Sequence, residues 1–202
     1  MARGAKTSKG AASTVLSIGV AARPVPPHYE GWNVLVGGDQ PAAKPDVALS
    51  LRNLKAQPGG EYDAVYCAYA LQTCYAHEVG GVVEGLRHLV KPGGFVEIRV
   101  PDVGAIMRVA VERRLDLEDE LYKSQAGSVS VRDALYGFAQ RVSASPEHFA
   151  HRVALSRNAL RAILSRAGFA AASLLRPRAL EIAIVAFPQP PSDEHKALLK
   201  LK

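Results

Sequence analysis

Glu147, His148 and His151 lie within a span of five residues, and on a helix two imidazoles three apart would share one face, which invites a metal reading. A metal centre needs third and fourth ligands at suitable spacing; none accompanies the pair, so no metal site is assigned. His151 then reads as a base, because an imidazole titrates near neutrality and can take a proton from an acceptor group at pH 7. Tyr69 is a second candidate, as a residue that touches the acceptor. Asp102 is a third, with helix N-capping as its structural alternative. Cys67 and Cys74 are the only cysteines, too few for a disulfide framework and wrongly spaced for zinc. They read as reduced thiols, which sets the expectation of a cytoplasmic protein. Gly19 closes a short apolar run, where a missing β-carbon lets the backbone approach a neighbour, and Asp39 follows Gly37-Gly38 in a turn.

The hydrophobic pattern supplies the elements around these residues. Thr14–Gly19 reads as a buried strand. Three prolines between 23 and 27 then forbid a helix, since they remove donors and hold the chain extended. Strands are expected at 32–36, 46–51 and Tyr62–Ala68. From 77 to 90, Val79, Val82, Val83, Leu86, Leu89 and Val90 recur at helical spacing. Lys91-Pro-Gly-Gly94 reads as a turn into a strand over 95–100, and Asp102 as the cap of a helix whose apolar side is Val103, Ile106, Met107, Ala110 and Val111. Asp116, Glu118, Asp119 and Glu120 are expected on the solvated face of a helix, and a further helix near 132–141. Ser156 caps the clearest helix, which ends at Gly168. Segments 169–175 and 180–187 pair as an antiparallel hairpin, and 197–202 form at most a marginal turn or two.

Alternating strands and helices with a closing hairpin specify an α/β fold: Rossmann-like, doubly wound, with a mostly parallel seven-stranded sheet. Ligands bind such sheets outside the carboxyl ends of the strands, which gathers Gly19, Asp39, Leu51, Ala68 and Leu71 around one crevice. The 202 residues are 48% hydrophobic and 22% charged, a globular composition that excludes disordered and coiled-coil classes. Most of the net charge of +6 sits in the first twelve residues and after residue 187, so the body carries no basic face for specific nucleic-acid binding. No apolar run is long enough to span a membrane. The basic start followed by small residues mimics a secretory signal, but Ser13, Ser17 and Gly19 interrupt its apolar density.

Four landmarks over residues 14–187 resemble the class I S-adenosylmethionine-dependent methyltransferases, in the compact bacterial branch with a short link between the first two strands. They are Leu16-Ser-Ile-Gly19 followed by Arg23-Pro, Gly31-Trp-Asn-Val34 leading to Asp39, Tyr62-Asp-Ala-Val-Tyr66 with Ala70-Leu71, and Leu89-Val-Lys-Pro-Gly-Gly94 entering the next strand and Pro101-Asp102. The resemblance implies S-adenosylmethionine as cofactor. Gly19 and Val20 would lie against its methionine part, Asp39 would accept from the ribose diol, Leu51 and Leu71 would wall the adenine, and the backbone at Ala68 would hold the ammonium. His151, Tyr69 and Asp102 are the implied acceptor-side residues. The implied reaction is in-line methyl transfer to a small-molecule or glycan acceptor, with a homodimer or partner enzyme left open. Residues 1–12 are expected as a flexible basic arm, 13–187 as the methyltransferase-like domain with 115–150 as a substrate lid, and 188–202 as a Pro-rich tail. The chain departs from the family pattern at Gly19-Val20-Ala21, where a second glycine is usual, at Ser50, and at Tyr69 and Gln72-Thr73. These departures support the alternative of a catalytically silent binding module of the same fold. A nicotinamide-dependent oxidoreductase is the weaker third reading, because no G-x-G-x-x-G follows the first strand.

Overall fold

A computed structural model describes residues 12–19, 25–38, 44–124, 127–176 and 179–201. Its main sheet has seven strands in the order β3-β2-β1-β4-β5-β9-β8, built from β1 (Thr14–Gly19), β2 (Asn33–Gly38), β3 (Val47–Ala48), β4 (Tyr62–Ala68), β5 (Val90–Pro101), β8 (Ala171–Leu174) and β9 (Glu181–Phe187). The pairs from β3 through β5 are parallel, and β9 runs antiparallel to both β5 and β8. This is the mostly parallel sheet with a C-terminal antiparallel hairpin that the pattern predicts.

Central strands of such a sheet are covered on both faces and therefore carry two sets of apolar side chains. On one face Leu16, Ile18, Val65, Cys67, Val96 and Ile98 pack under α1 (Val79–Leu89) and α6 (Arg157–Arg166). The apolar stripe expected of α1 is present: Val79, Val82, Val83, Leu86 and Leu89 are all buried. On the other face Val15, Ala64, Tyr66, Phe95, Val185 and Phe187 meet Tyr29 and Leu199. Among its described residues, the proline-rich link after β1 forms a 3-10 turn, Pro27–Tyr29, and an aromatic group of Tyr29, Trp32 and Phe95 packs on this face of the sheet.

Several elements differ from expectation for local reasons. The third strand shrinks to two residues at the sheet edge, where the Asp46 carboxylate accepts from the Val36 N–H at 2.8 Å, and Leu51 opens a 3-10 helix, Leu51–Ala56. Lys91-Pro-Gly-Gly94 is an irregularity within β5; a β-carbon on Gly94 would lie 2.3 Å from the Asp63 carbonyl oxygen. Helix α2 (Val103–Arg113) forms with Asp102 as its cap, yet Met107 and Val111 are 59% and 78% exposed and only Ile106 is buried. The acidic cluster is not on a helix. Asp116 and Asp119 close a turn through each other's backbone and side chains, and Glu120 opens β6 (Glu120–Ser124), which pairs with β7 (Gly127–Ser130). The helix expected near 132–141 divides at Gly137-Phe138 into α3 (Val131–Tyr136) and α4 (Ala139–Ala144), followed by the short α5 (Pro146–Phe149). Beyond the prolines, Ser192 caps α7 (Asp193–Leu199), which buries Leu199 against the sheet; this segment is part of the packed structure. No helix among the described residues is long and apolar enough to cross a membrane.

Candidate functional site

Strand β1 pairs with β2 on one side and β4 on the other. The chain leaving β1 returns through Val25, Tyr29 and Trp32 on one face of the sheet, while the chain leaving β4 proceeds to α1 on the opposite face. Loops that diverge from adjacent parallel strands open a crevice between them, the switch point at which such sheets bind ligands. Gly19 and Ala68 are register partners at its floor. Gly19 has φ +121°, and a β-carbon there would lie 2.0 Å from the Ala68 carbonyl oxygen, so close strand contact already demands glycine.

The residue after β4 is Tyr69, at φ +54°. The other left-handed non-glycine residues end helices, as Arg114 and Lys200 do, or a hairpin turn, as Leu180 does. Tyr69 does neither, and this conformation costs a bulky residue about 1–3 kcal/mol. Its N–H donates to the Arg99 carbonyl at 2.8 Å, and its hydroxyl donates to Glu181 Oε2. Glu181 Oε1 accepts from Arg99 Nη1 at 3.0 Å, Arg99 Nε donates to Glu97 Oε1 at 2.8 Å, and Glu97 Oε2 accepts from the Tyr29 hydroxyl at 3.0 Å and meets His28 Nε2 at 2.8 Å. Glu97 and Glu181 are buried. Burial, then the Glu97 carboxylate, pushes the Tyr29 phenol well above its ordinary range. Burial alone would weaken the charge on Arg99, but Glu97 and Glu181 outweigh it and raise its pKa. A polar line thus crosses the sheet from His28 and Tyr29 to the residue that follows β4.

The arch over 137–153 covers the exit from β4: Arg152 N–H donates to the Gln72 carbonyl at 2.7 Å, and His151 N–H to that of Tyr136 at 3.0 Å. His151 Nδ1 lies 3.3 Å from the Leu135 carbonyl. A carbonyl only accepts, so the ring donates here, and the Ala134 carbonyl is a second acceptor beside it. Burial lowers the pKa of this imidazole, which favours its neutral form. The Gln72 Oε1, also in this loop, is a buried acceptor without a protein partner.

The strand ends thus bring together Gly19, Ala68 and Tyr69, while His151 lies in the arch that Arg152 ties to Gln72. Leu51 is half-buried at the start of its 3-10 helix. Leu71 is fully buried in the helix-side core and has no surface with which to wall an adenine; apolar character at that position serves packing. Asp102 is committed as well: Oδ1 accepts from the Ala105 N–H at 3.0 Å and Oδ2 from Arg157 at 2.9 Å, so it caps α2 and ties it to α6 instead of serving as a free base. Val20 and Asp39 lie outside the described residues. His151 falls beyond the end of α5, so it and His148 do not share a helix face. Among the described residues no group of three or more His, Cys, Asp or Glu is placed to hold a metal ion. Both thiols are buried; burial raises Cys74 to about 11 and Cys67 further.

Glu97, Arg99 and Glu181 are absent from the sequence reading. Their signal was available in part: Glu97 and Arg99 alternate onto one face of a strand expected to be covered on both sides, where unpaired charge is not tolerated.

No family model and no curated protein matches the sequence. Among solved structures, the chain is similar to an O-methyltransferase family protein from Burkholderia thailandensis, at TM-score 0.55 and 14% identity over 90% of this chain and 52% of that one. It is also similar to a glycopeptide N-methyltransferase complexed with S-adenosyl-L-methionine, at TM-score 0.52 and 14% identity over 88% and 82%. A protein described as a zinc-dependent alcohol dehydrogenase from Rhodobacter sphaeroides reaches TM-score 0.53 at 13% identity over 90% and 86%. The chain spans about half the length of the first of these. The shared property is the Rossmann-like fold.

Proposed function

We propose that this chain is a methyltransferase that binds S-adenosylmethionine across the crevice between β1 and β4 and delivers the methyl group to a small-molecule or glycan acceptor. The observation that carries the reading is the divergence of the chain from these adjacent strands above the Gly19–Ala68 pair. The residues present fit the group in kind. Two small residues leave the floor free of side chains, the Ala68 backbone end offers a carbonyl environment for an ammonium, and half-buried Leu51 offers an apolar wall. Asp39, with Val20 beside Gly19, completes the assignment: its carboxylate would accept from both ribose hydroxyls. When bound, the cofactor supplies a methyl carbon already activated by a positively charged sulfur, so the protein's share is alignment and proton handling.

The acceptor enters from the side of the arch. His151 would take its proton; burial lowers the pKa of this imidazole, while the carbonyls of Leu135 and Ala134 pull it the other way. Tyr69, fixed above the end of β4, contacts the acceptor opposite. Calorimetric titration with S-adenosylmethionine tests the reading. Micromolar binding that Asp39→Ala weakens at least tenfold, a loss of about 1.4 kcal/mol, supports it. No heat at millimolar ligand overturns it in favour of a silent module that docks another protein.

A further inference from the structure

Among the described residues one buried side-chain polar atom has no hydrogen-bond partner, Gln72 Oε1. Such an atom destabilises the protein that carries it, because its lost contacts with water are not replaced. We infer that Gln72 is a specificity residue for the methyl transfer proposed above, on which this inference rests: Oε1 accepts a hydrogen bond from an O–H or N–H of the methyl-accepting molecule.

Gln72 lies in the 3-10 turn Leu71–Thr73, which follows β4, and the backbone acceptors around it are all paired. The carbonyls of Ala70 and Leu71 accept from the N–H groups of Thr73 at 3.0 Å and Cys74 at 3.1 Å. The Gln72 carbonyl accepts from those of Arg152 at 2.7 Å and Val153 at 3.3 Å, and the Thr73 carbonyl from Arg152 Nη1 at 2.8 Å. Turn and arch are therefore fastened together, and the side chain between them, with its residue 4% exposed, keeps one bare oxygen. The turn packs against β5 and α5, which places it between the main sheet and the arch from which the acceptor enters. An apolar side chain of similar volume would fill the position without an unpaired oxygen, so the amide is accounted for by a ligand that brings the missing donor. The substrate class follows: a buried acceptor selects a molecule with a hydroxyl or N–H and rejects the analogue that carries only lone pairs there.

The test uses the full-length chain and has two arms. Thermal unfolding of the ligand-free protein compares the wild type with Gln72→Met and the smaller Gln72→Leu. Neither removes a hydrogen bond, so Tm holds or rises in at least one of them. A purely structural glutamine predicts the opposite, and a fall of more than about 2 °C in both variants, or failure of both to fold, overturns the inference. The binding arm saturates the protein with S-adenosylhomocysteine and titrates phenol and then anisole, in which a methyl ether replaces the O–H, followed by NMR at the Thr73 and Arg152 amides. The wild type binds phenol about fivefold tighter than anisole, the factor that a hydrogen bond of ordinary net strength gives. In the folded variants the two affinities lie within about twofold of each other. Equal affinities in the wild type, a preference that survives in the variants, or no binding of phenol overturns the inference alone. Failure of S-adenosylhomocysteine to bind the wild type removes the methyl-donor reading and this inference together.

Discussion

Gly19→Ala isolates what the floor of the crevice demands. The added methyl would lie 2.0 Å from the Ala68 carbonyl oxygen and 2.9 Å from its carbon, at φ +121°. Real β-carbons do not come within 3.0 Å of such atoms, so the end of β1 must withdraw by about 1 Å from a strand to which it is hydrogen-bonded. The disfavoured backbone costs about 1–3 kcal/mol and the overpacking about 1–3 kcal/mol. Together these give about 2–6 kcal/mol, a large part of the about 5–15 kcal/mol typical of a domain. For a chain of this size that corresponds to a fall in Tm of about 4–24 °C. Thermal unfolding of the ligand-free protein, followed by circular dichroism, measures it. A Tm within about 2 °C of wild type would refute the strand-contact argument. If such a stable variant also lost cofactor affinity, glycine would be there for the ligand.

Other perturbations have equally defined outcomes. His151 should titrate below 6.5 by NMR; because its folded pKa is depressed, its contribution to stability is full above the unfolded value and is lost as pH falls from about 6.5 through the folded value. Replacing His151 with Gln should flatten that part of the stability profile. A thiol reagent at pH 8 should label neither buried cysteine in the native protein and both in denaturant, with Cys74, near 11, the first to react as pH rises. On α2, Met107→Lys and Val111→Lys should each change stability by less than about 0.5 kcal/mol, whereas Ile106→Ala should cost about 2–5 kcal/mol in chemical denaturation.

Elements closed by strong local signals were legible before the fold. Strands β1 and β4 begin and end where short apolar runs meet glycine or polar residues, and α6 is delimited by Ser156, whose hydroxyl accepts from the Ala159 N–H at 3.2 Å, and by Gly168. Helix α2 shows the limit of periodicity. Its spacing identifies a helix, but its neighbours are α3 and the β6–β7 hairpin rather than the main sheet, so Met107 and Val111 turn to solvent. Gly19, Ala68 and Tyr69 lie together at the strand ends as expected, because parallel-sheet topology brings those ends together whatever the loops do. Leu71 was assigned by landmark and packs in the core instead, whereas Asp102 caps the helix that its position before Val103 predicts. Glu181 was invisible because Tyr69 and Arg99, 112 and 82 residues away, become its partners only when β9 inserts beside β5.

The location of the donor site is best tested by amide chemical-shift mapping with S-adenosylhomocysteine. Binding across the crevice moves Gly19, Ala68 and Tyr69 and leaves Lys55, Arg87 and Arg166, which line a surface hollow elsewhere, undisturbed. Shifts confined to that hollow, or none at millimolar ligand, would contradict the account.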